Sequence, residues 1–190
     1  MAKNIFCLEG EWLLNSKQSK FNLKTEPLLN WLREFHDCKV LYRNILSRED
    51  LGYYLDYFGS HARVCKQYDI VYISCHGWNH QLCLEGDNGD IDLTELAELA
   101  GDALQDKIVH FGCCKTLANE NASLIFKEMT GARLVSGYTK TVDSMNSAVA
   151  DAALFNQLMC LTNVGVIKNR DSKFYKTFAS LLDSLGFVAI

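Results

Sequence analysis

The chain has 190 residues, of which 48% are hydrophobic and 22% are charged, and its formal net charge is −4. This composition is that of a globular protein with a proper core, and the negative charge argues against nucleic acid or an anionic membrane as the main partner. No apolar run approaches the roughly 18 residues that a membrane-spanning helix needs.

The first half of the chain alternates between strand-like and helix-like segments. Glu9 and Glu11 interrupt the first apolar stretch, so we do not expect a signal peptide there. Ser47 is the expected N-cap of the second helix. Strands are predicted over residues 4–12, 39–45 and 69–75, and helices over residues 27–37 and 47–62.

The second half continues the same alternation. A short hairpin is expected within residues 81–93, with its turn at Asn88 and Gly89, before a helix that Asp92 caps. Strands are then predicted over residues 107–114 and 132–139, and helices over residues 93–104, 119–131, 144–161 and 171–186. Strands that alternate with helices indicate a mostly parallel sheet with helices on both faces. We therefore expect a three-layer α/β sandwich that forms a single domain over residues 1–190.

The eight cysteines need an interpretation of their own. Most lie within apolar runs and lack the regular spacing of secreted disulfide scaffolds, so we expect reduced thiols in a cytoplasmic protein. No C-x-x-C pair is present, which argues against structural zinc. His76 and His80 form an H-x-x-x-H, but this spacing ligates metal on a helix and here follows a strand. We expect neither a metal nor a cofactor.

Two of the predicted strands end in reactive side chains. "DIVYISCHG", residues 69–77, ends near His76, and "KIVHFGCC", residues 107–114, ends in two cysteines. Chemistry in open α/β sheets gathers at the carboxyl ends of the strands, so His76 and Cys114 can meet there if their strands are neighbours. An imidazole beside a thiol is an arrangement for nucleophilic catalysis, and the N–H groups of Gly77 and Cys114 can form an oxyanion hole.

The choice of nucleophile between the two adjacent cysteines is open from the residues alone. We favour Cys114, because a helix that starts directly after it would stabilise a thiolate through its dipole. Strand alternation predicts that Cys75 and Cys113 face the core. His110 lies in the middle of a strand and is expected to be buried and hydrogen-bonded.

The stretch "YISCHG", then "LCLEG", an acid-capped helix and "IVHFGCCKT" resembles the caspase-like cysteine peptidases. This clan includes caspases, clostripain, gingipain and separase, and the resemblance is closest to the CHAT and separase branch. It covers roughly residues 68–160 and implies a caspase-like fold with His76 as base and Cys114 as nucleophile. Thr116 matches the family pattern, whereas Lys115 stands where the family often has an acid. The caspase Q-A-C signature is absent, so we do not expect aspartate specificity.

The following stretch, "VSGYTKTVDSMNSAVADAALFNQLM", resembles the next strand and helix of that branch. The resemblance places Asp143 at the aspartate that lines the pocket for a basic residue before the cut. A carboxylate there would bind Arg or Lys through a charge-assisted hydrogen bond. Asp143 is equally a candidate helix N-cap, and both roles can hold together.

The resemblance therefore implies a cysteine endopeptidase that acts on a protein or peptide. Small relatives of this kind are often paired with a bacterial defence effector that they cut, such as a gasdermin, and an activating partner or self-cleavage stays open. A second hypothesis is a non-catalytic regulatory or interaction domain that keeps the fold. A third is another Cys–His acyl-transfer hydrolase, such as an amidase or a thioesterase. The G-x-S-x-G elbow of α/β-hydrolases is absent.

Overall fold

The computed structural model of the chain describes residues 3–12, 25–86 and 89–190. Its main sheet has six strands in the order β2-β1-β3-β7-β8-β9, and all neighbouring pairs are parallel except β8 and β9. The bounds of these strands are β1 Ile5–Glu9, β2 Val40–Asn44, β3 Ile70–Ser74, β7 Ile108–Phe111, β8 Leu134–Tyr138 and β9 Phe187–Ala189. β1, β3 and β8 are buried at every position, as expected for strands covered on both faces.

Helices cover both faces of this sheet, which confirms the predicted three-layer architecture. The helices are α1 Thr25–His36, α2 Arg48–Ser60, α3 Ala62–Cys65, α4 Leu93–Ala100, α5 Glu120–Thr130, α6 Ser144–Cys160 and α7 Lys173–Leu185. One core cluster packs α2, α4 and α5 against one face of the sheet, and a second packs α1, α6 and α7 against the other. Strand alternation divides the sheet between them, since Val71 belongs to the first cluster and Tyr72 to the second.

The helix ends follow the local sequence. Ser47 accepts a hydrogen bond from the N–H of Asp50, and Asp92 accepts one from the N–H of Glu95, as predicted for both caps. Gly131 ends α5 in the left-handed conformation, with φ of 63°, where a side chain would be strained.

The connection between β3 and β7 carries a second, three-stranded antiparallel sheet. Its strands are β4 His76–Trp78, β5 Gln81–Cys83 and β6 Ile91–Asp92. The predicted hairpin corresponds to β5 and β6, but Asn88 of its expected turn lies outside the described residues. β4 and the antiparallel β9 are not anticipated from the sequence patterns.

Among the described helices, none combines the length and the apolar character that crossing a membrane requires.

Candidate functional site

The two strand ends lie side by side at the carboxyl edge of the sheet. β3 and β7 are parallel neighbours in which Ile73 pairs with Phe111, so the residues that follow each strand emerge together. This confirms the adjacency on which the predicted His76–Cys114 site depends. His76 and Cys114 each lie three residues after this last pair, and Gly77 lies four residues after it.

The segment after His76 packs directly against the segment that carries Cys114. A Cβ atom placed on Gly77 would lie 2.5 Å from the carbonyl oxygen of Cys114, 3.0 Å from its nitrogen and 2.9 Å from the Cβ of Cys113. Only a residue without a side chain fits so close to another backbone. Gly77 is therefore the contact through which the two strand ends meet, and His76 is the residue next to it.

The two adjacent cysteines have different environments. Cys113 is fully buried in the core, and its sulfur lies 3.4 Å from the sulfur of Cys75, as strand alternation predicts for both residues. Cys114 is only partly buried. A buried thiol is usually inert, so the geometry favours Cys114 as the reactive residue.

The Cys114 thiol is held by the backbone of Val142, in the loop that follows β8. Its sulfur lies 3.4 Å from the nitrogen of Val142, which can donate to it, and 3.7 Å from the carbonyl oxygen of the same residue, which can accept from it. Burial raises the pKa of the Cys114 thiol above its ordinary value, although the Val142 N–H and the charge of Lys115 act in the opposite direction. At neutral pH the residue is therefore a protonated thiol that needs a base.

The helix predicted over residues 119–131 is confirmed as α5, but the expectation that a helix starts directly after Cys114 is wrong. Residues 114–117 form turns, and α5 begins only at Glu120, with Asn119 as its N-cap. A helix dipole acts within about one turn of the helix end, so α5 does not stabilise a thiolate at Cys114. The turn is fixed instead by backbone hydrogen bonds, from Lys115 N–H to the carbonyl of Lys140 and from His80 N–H to the carbonyl of Lys115.

The Cys114 N–H, one of the two proposed for the oxyanion hole, lies against Gly77. The Cys114 nitrogen is 3.0 Å from the position of a Gly77 Cβ. Among the residues that the structure describes, none accepts a hydrogen bond from the Cys114 N–H, which leaves this donor available.

The side chains of Lys115 and Trp78 lie beside the two strand ends at the carboxyl edge of the sheet. Lys115, which has a φ of 54°, places its Nζ 4.2 Å from the centroid of the Trp78 ring. Trp78 follows Gly77 and is 54% exposed, so this cation–π pair forms an accessible rim beside the two strand ends.

Asp143 caps helix α6. Its Oδ1 accepts hydrogen bonds from the N–H groups of Met145 and Asn146, both at 3.0 Å, and its side chain is exposed. The N-cap reading of Asp143 is confirmed, and its role in a pocket stays a prediction. Asp143 follows Val142 directly, which places it near the Cys114 thiol.

A buried polar cluster lies behind the strand ends, on the α6 face of the sheet. The carboxylate of Asp151 accepts hydrogen bonds from Tyr72 Oη at 2.6 Å and Tyr138 Oη at 2.5 Å, and His110 Nε2 lies 2.7 Å from it. His110 Nδ1 lies 3.0 Å from Ser136 Oγ. Burial and the charge of Asp151 raise the pKa of both tyrosines well above the ordinary value, so both remain neutral donors.

The sequence reasoning predicted the buried, hydrogen-bonded His110 correctly but missed Asp151. Two signals were present. Parallel register aligns Tyr72, His110 and Ser136 in one row across the sheet. An acidic residue on the apolar face of α6, between Ser147 and Leu154, is the partner that such a row requires.

The residues described in the structure contain no group of three or more His, Cys, Asp or Glu side chains that could hold a metal ion. His76 lies in β4, whereas His80 follows it in a turn with φ of 63°, so the pair does not share a helix face. All eight cysteines are free thiols.

Comparison with solved structures supports the fold. The chain is similar to RgpB of Porphyromonas gingivalis, a gingipain solved as a complex of its pro- and mature domains, with a TM-score of 0.56 and 8% identity. The alignment covers 99% of this chain and 47% of the RgpB chain, so the present chain spans about half the length of that protein. Identity this low shows the fold alone, which is an α/β fold of the caspase-like type.

Comparison by sequence gives the family. No curated protein matches the chain. A family model, DUF6642, which is described as a family of unknown function, matches residues 2–188. The chain is therefore a member of the DUF6642 family.

Proposed function

We propose that the protein is a cysteine endopeptidase in which His76 is the base and Cys114 the nucleophile. The observation that carries this proposal is the packing of Gly77 against the Cys114 backbone, which joins the two strand ends into one site. The partial exposure of Cys114, beside the fully buried Cys113, supports the choice of nucleophile.

The proposed reaction follows from these positions. His76 takes the proton of the Cys114 thiol while the sulfur attacks the carbonyl carbon of the scissile peptide bond. The N–H groups of Gly77 and Cys114 stabilise the negative charge that develops on the carbonyl oxygen. His76 then gives its proton to the leaving amine, and a water molecule, activated by the same imidazole, hydrolyses the thioester.

The environment of Cys114 explains why a base is needed. Burial raises the pKa of this thiol, and no helix begins close enough to lower it. The thiolate is then formed during attack rather than stored in the resting protein. This distinguishes the site from one that keeps a thiolate beside a helix N-terminus.

The substrate that we propose is a protein cut after a basic residue, with Asp143 as one carboxylate facing that residue. The sequence resemblance supports a bacterial defence effector, such as a gasdermin, as the target, and leaves room for an activating partner. Loss of the basic preference in Asp143→Ala would support its role in the pocket, and survival of the preference would remove it.

Two measurements test the reaction. Iodoacetamide labelling with peptide mapping should modify Cys114 faster than the exposed Cys160, and the His76→Ala variant should abolish this difference. Cleavage of Arg- or Lys-containing fluorogenic peptides should be lost in Cys114→Ala and kept in Cys113→Ala. Equal, slow labelling of all eight cysteines would contradict a catalytic site. Loss of cleavage in Cys113→Ala alone would shift the nucleophile by one residue.

A further inference from the structure

The outer strand β2 has an open edge. In the described part of the chain β2 pairs only with β1, so it ends the main sheet on one side. The carbonyl of Lys39, before the strand, and the N–H of Ile45, after it, both bond to β1. Backbone groups alternate in direction along a strand, so three residues of β2 direct their N–H and C=O groups away from β1. These residues are Val40, Tyr42 and Asn44.

Arg43 covers the middle of this edge. Its Nη1 donates a hydrogen bond of 2.8 Å to the carbonyl oxygen of Tyr42, which is one of the outward-directed groups. A charged side chain on an edge strand blocks unwanted pairing with other chains. A strand that pairs with β2 must therefore offer Arg43 another acceptor. A carboxylate is a stronger acceptor for a guanidinium than a backbone carbonyl is.

An aromatic cavity of about 490 Å³ lies between β2 and α2. Its floor includes the buried Phe6 and Phe58, whose stacked rings are 4.5 Å apart between centroids. Helix α2 contributes a wall of three tyrosines, Tyr53, Tyr54 and Tyr57. Tyr53 is 63% exposed and Tyr57 is 49% exposed. Aromatic side chains this exposed beside a cavity are typical of a binding surface.

The charge of the lining selects the kind of ligand. Arg43 is the single charged residue among the described residues that line the cavity, and its guanidinium carbon lies 5.9 Å from the centroid of the Tyr54 ring. The lining therefore favours an apolar group combined with a negative charge. The outward-directed backbone groups of β2 favour an extended peptide, because a peptide chain can pair with successive N–H and C=O groups.

The register of β2 sets the spacing of the two groups in such a peptide. Leu41 and Arg43 both line the cavity, whereas Tyr42 packs on the opposite face of the sheet. A strand added about 4.8 Å away places alternate side chains opposite Leu41 and Arg43. The side chain opposite Leu41 enters the cavity, and the one opposite Arg43 meets the guanidinium. The matching peptide therefore carries an aromatic and an acidic residue with one residue between them.

We propose that β2 and the aromatic cavity bind an extended peptide segment of a partner protein, which adds a strand to the sheet through an aromatic and an acidic anchor. β1 separates β2 from β3, so this surface is distinct from the site at the ends of β3 and β7. The inference goes beyond the proposed function and does not depend on peptidase activity. A parallel and an antiparallel strand reverse the order of the anchors but keep their spacing.

Fluorescence anisotropy with labelled six-residue peptides tests the two anchors. Phenylalanine and glutamate are separated by one threonine, and both orders of the anchors are titrated. In the order that binds, replacing glutamate by glutamine should weaken binding roughly three- to tenfold. Making the two anchors adjacent should weaken it at least as much, because they then face opposite sides of the strand. Arg43→Glu should reverse the preference towards a lysine peptide. Equal binding of the glutamate and glutamine peptides would overturn the inference.

The open edge is tested at Asn44, the exposed last residue of β2. Asn44→Pro removes an outward-directed N–H and leaves the bonds to β1 in place, as proline at a solvent-facing edge position does. This variant should weaken binding of the glutamate peptide roughly tenfold. Asn44→Ala is the matched control, because it keeps the N–H and should bind as the starting chain does. Equal binding by the two variants would contradict strand addition at β2.

The cavity is tested at its exposed wall. Tyr53→Ala should weaken binding of the glutamate peptide roughly tenfold, as expected for loss of an aromatic anchor of a binding surface. Phe35→Ala is the matched control, because Phe35 is 70% exposed on α1 but does not line the cavity. Equal effects of these two substitutions would refute the cavity as the site. Light scattering gives a last test: a dimer that Asn44→Pro dissociates would show that a second copy occupies the edge, and this would refute a partner peptide.

Discussion

Replacing Gly77 by alanine should separate the two strand ends that form the candidate site. The new methyl group would lie 2.5 Å from the Cys114 carbonyl oxygen, and this distance is about 1 Å shorter than an ordinary contact. The clash involves backbone atoms of Cys114, which cannot rotate away as a flexible side chain can. We therefore expect a shift of the Cys114 segment by a large part of that 1 Å.

Two magnitudes follow from this shift. Overpacking of a tight core contact lowers the free energy of unfolding by about 1–3 kcal/mol. A displacement of about 1 Å at a reacting group lowers the rate roughly 100-fold. Urea denaturation followed by circular dichroism measures the first effect, and peptide cleavage together with the rate of Cys114 alkylation measures the second.

Gly52→Ala is the matched control. Gly52 lies inside α2, and its nearest neighbour is a flexible side-chain atom of Leu99 at 3.4 Å, so alanine fits there and improves helix propensity. This control should keep full activity with equal or higher stability. A Gly77→Ala protein with unchanged stability and unchanged Cys114 reactivity would refute the contact between the strand ends.

Three further predictions concern single groups. Asp143→Ala should lower the free energy of unfolding by about 1 kcal/mol through loss of the α6 cap, whereas Asp143→Asn keeps the cap and should be close to neutral in urea denaturation. In His76→Ala, the rate of Cys114 alkylation by iodoacetamide should rise with a midpoint above pH 9.0, because burial raises the pKa of this thiol; a plateau near neutral pH would contradict that direction. A hydrogen bond with Lys168 lowers the pKa of Lys127 to about 8, below its unfolded value of 10.5, so stability should increase as the pH rises from about 8 towards 10.5. Mass spectrometry after brief acetylation at pH 8 should find Lys127 modified early, and Lys168→Gln should remove this preference.

The fold followed from the sequence because its signals are local. Apolar runs such as IVYI and IVHF, the caps at Ser47 and Asp92 and the helix-ending Gly131 act within a few residues and fix most elements. β9 is different, since its three residues become a strand only by pairing with β8 in the opposite direction. That pairing joins residues such as Ser136 and Ala189, which are far apart in the sequence.

The site was predictable only in part, because some of its contacts also join segments that are far apart in the sequence. The order of His76 and Cys114 on neighbouring strands could be inferred from the alternating pattern. The turns at residues 114–117 could not, because they are held by bonds to distant loops, including the one from Lys115 to Lys140. The link from Asp151 to His110 likewise joins residues 41 positions apart.

The two hydrogen bonds between the Cys114 thiol and the Val142 backbone make the Val142 amide sensitive to protonation and acylation of the sulfur. The neutral thiol can both accept from the Val142 N–H and donate to its carbonyl oxygen. When the proton leaves or the sulfur is acylated, donation ends, and a thiolate accepts the N–H bond more strongly. The amide proton resonance of Val142 should therefore report, in a ¹H–¹⁵N spectrum, which covalent and ionic form the sulfur has.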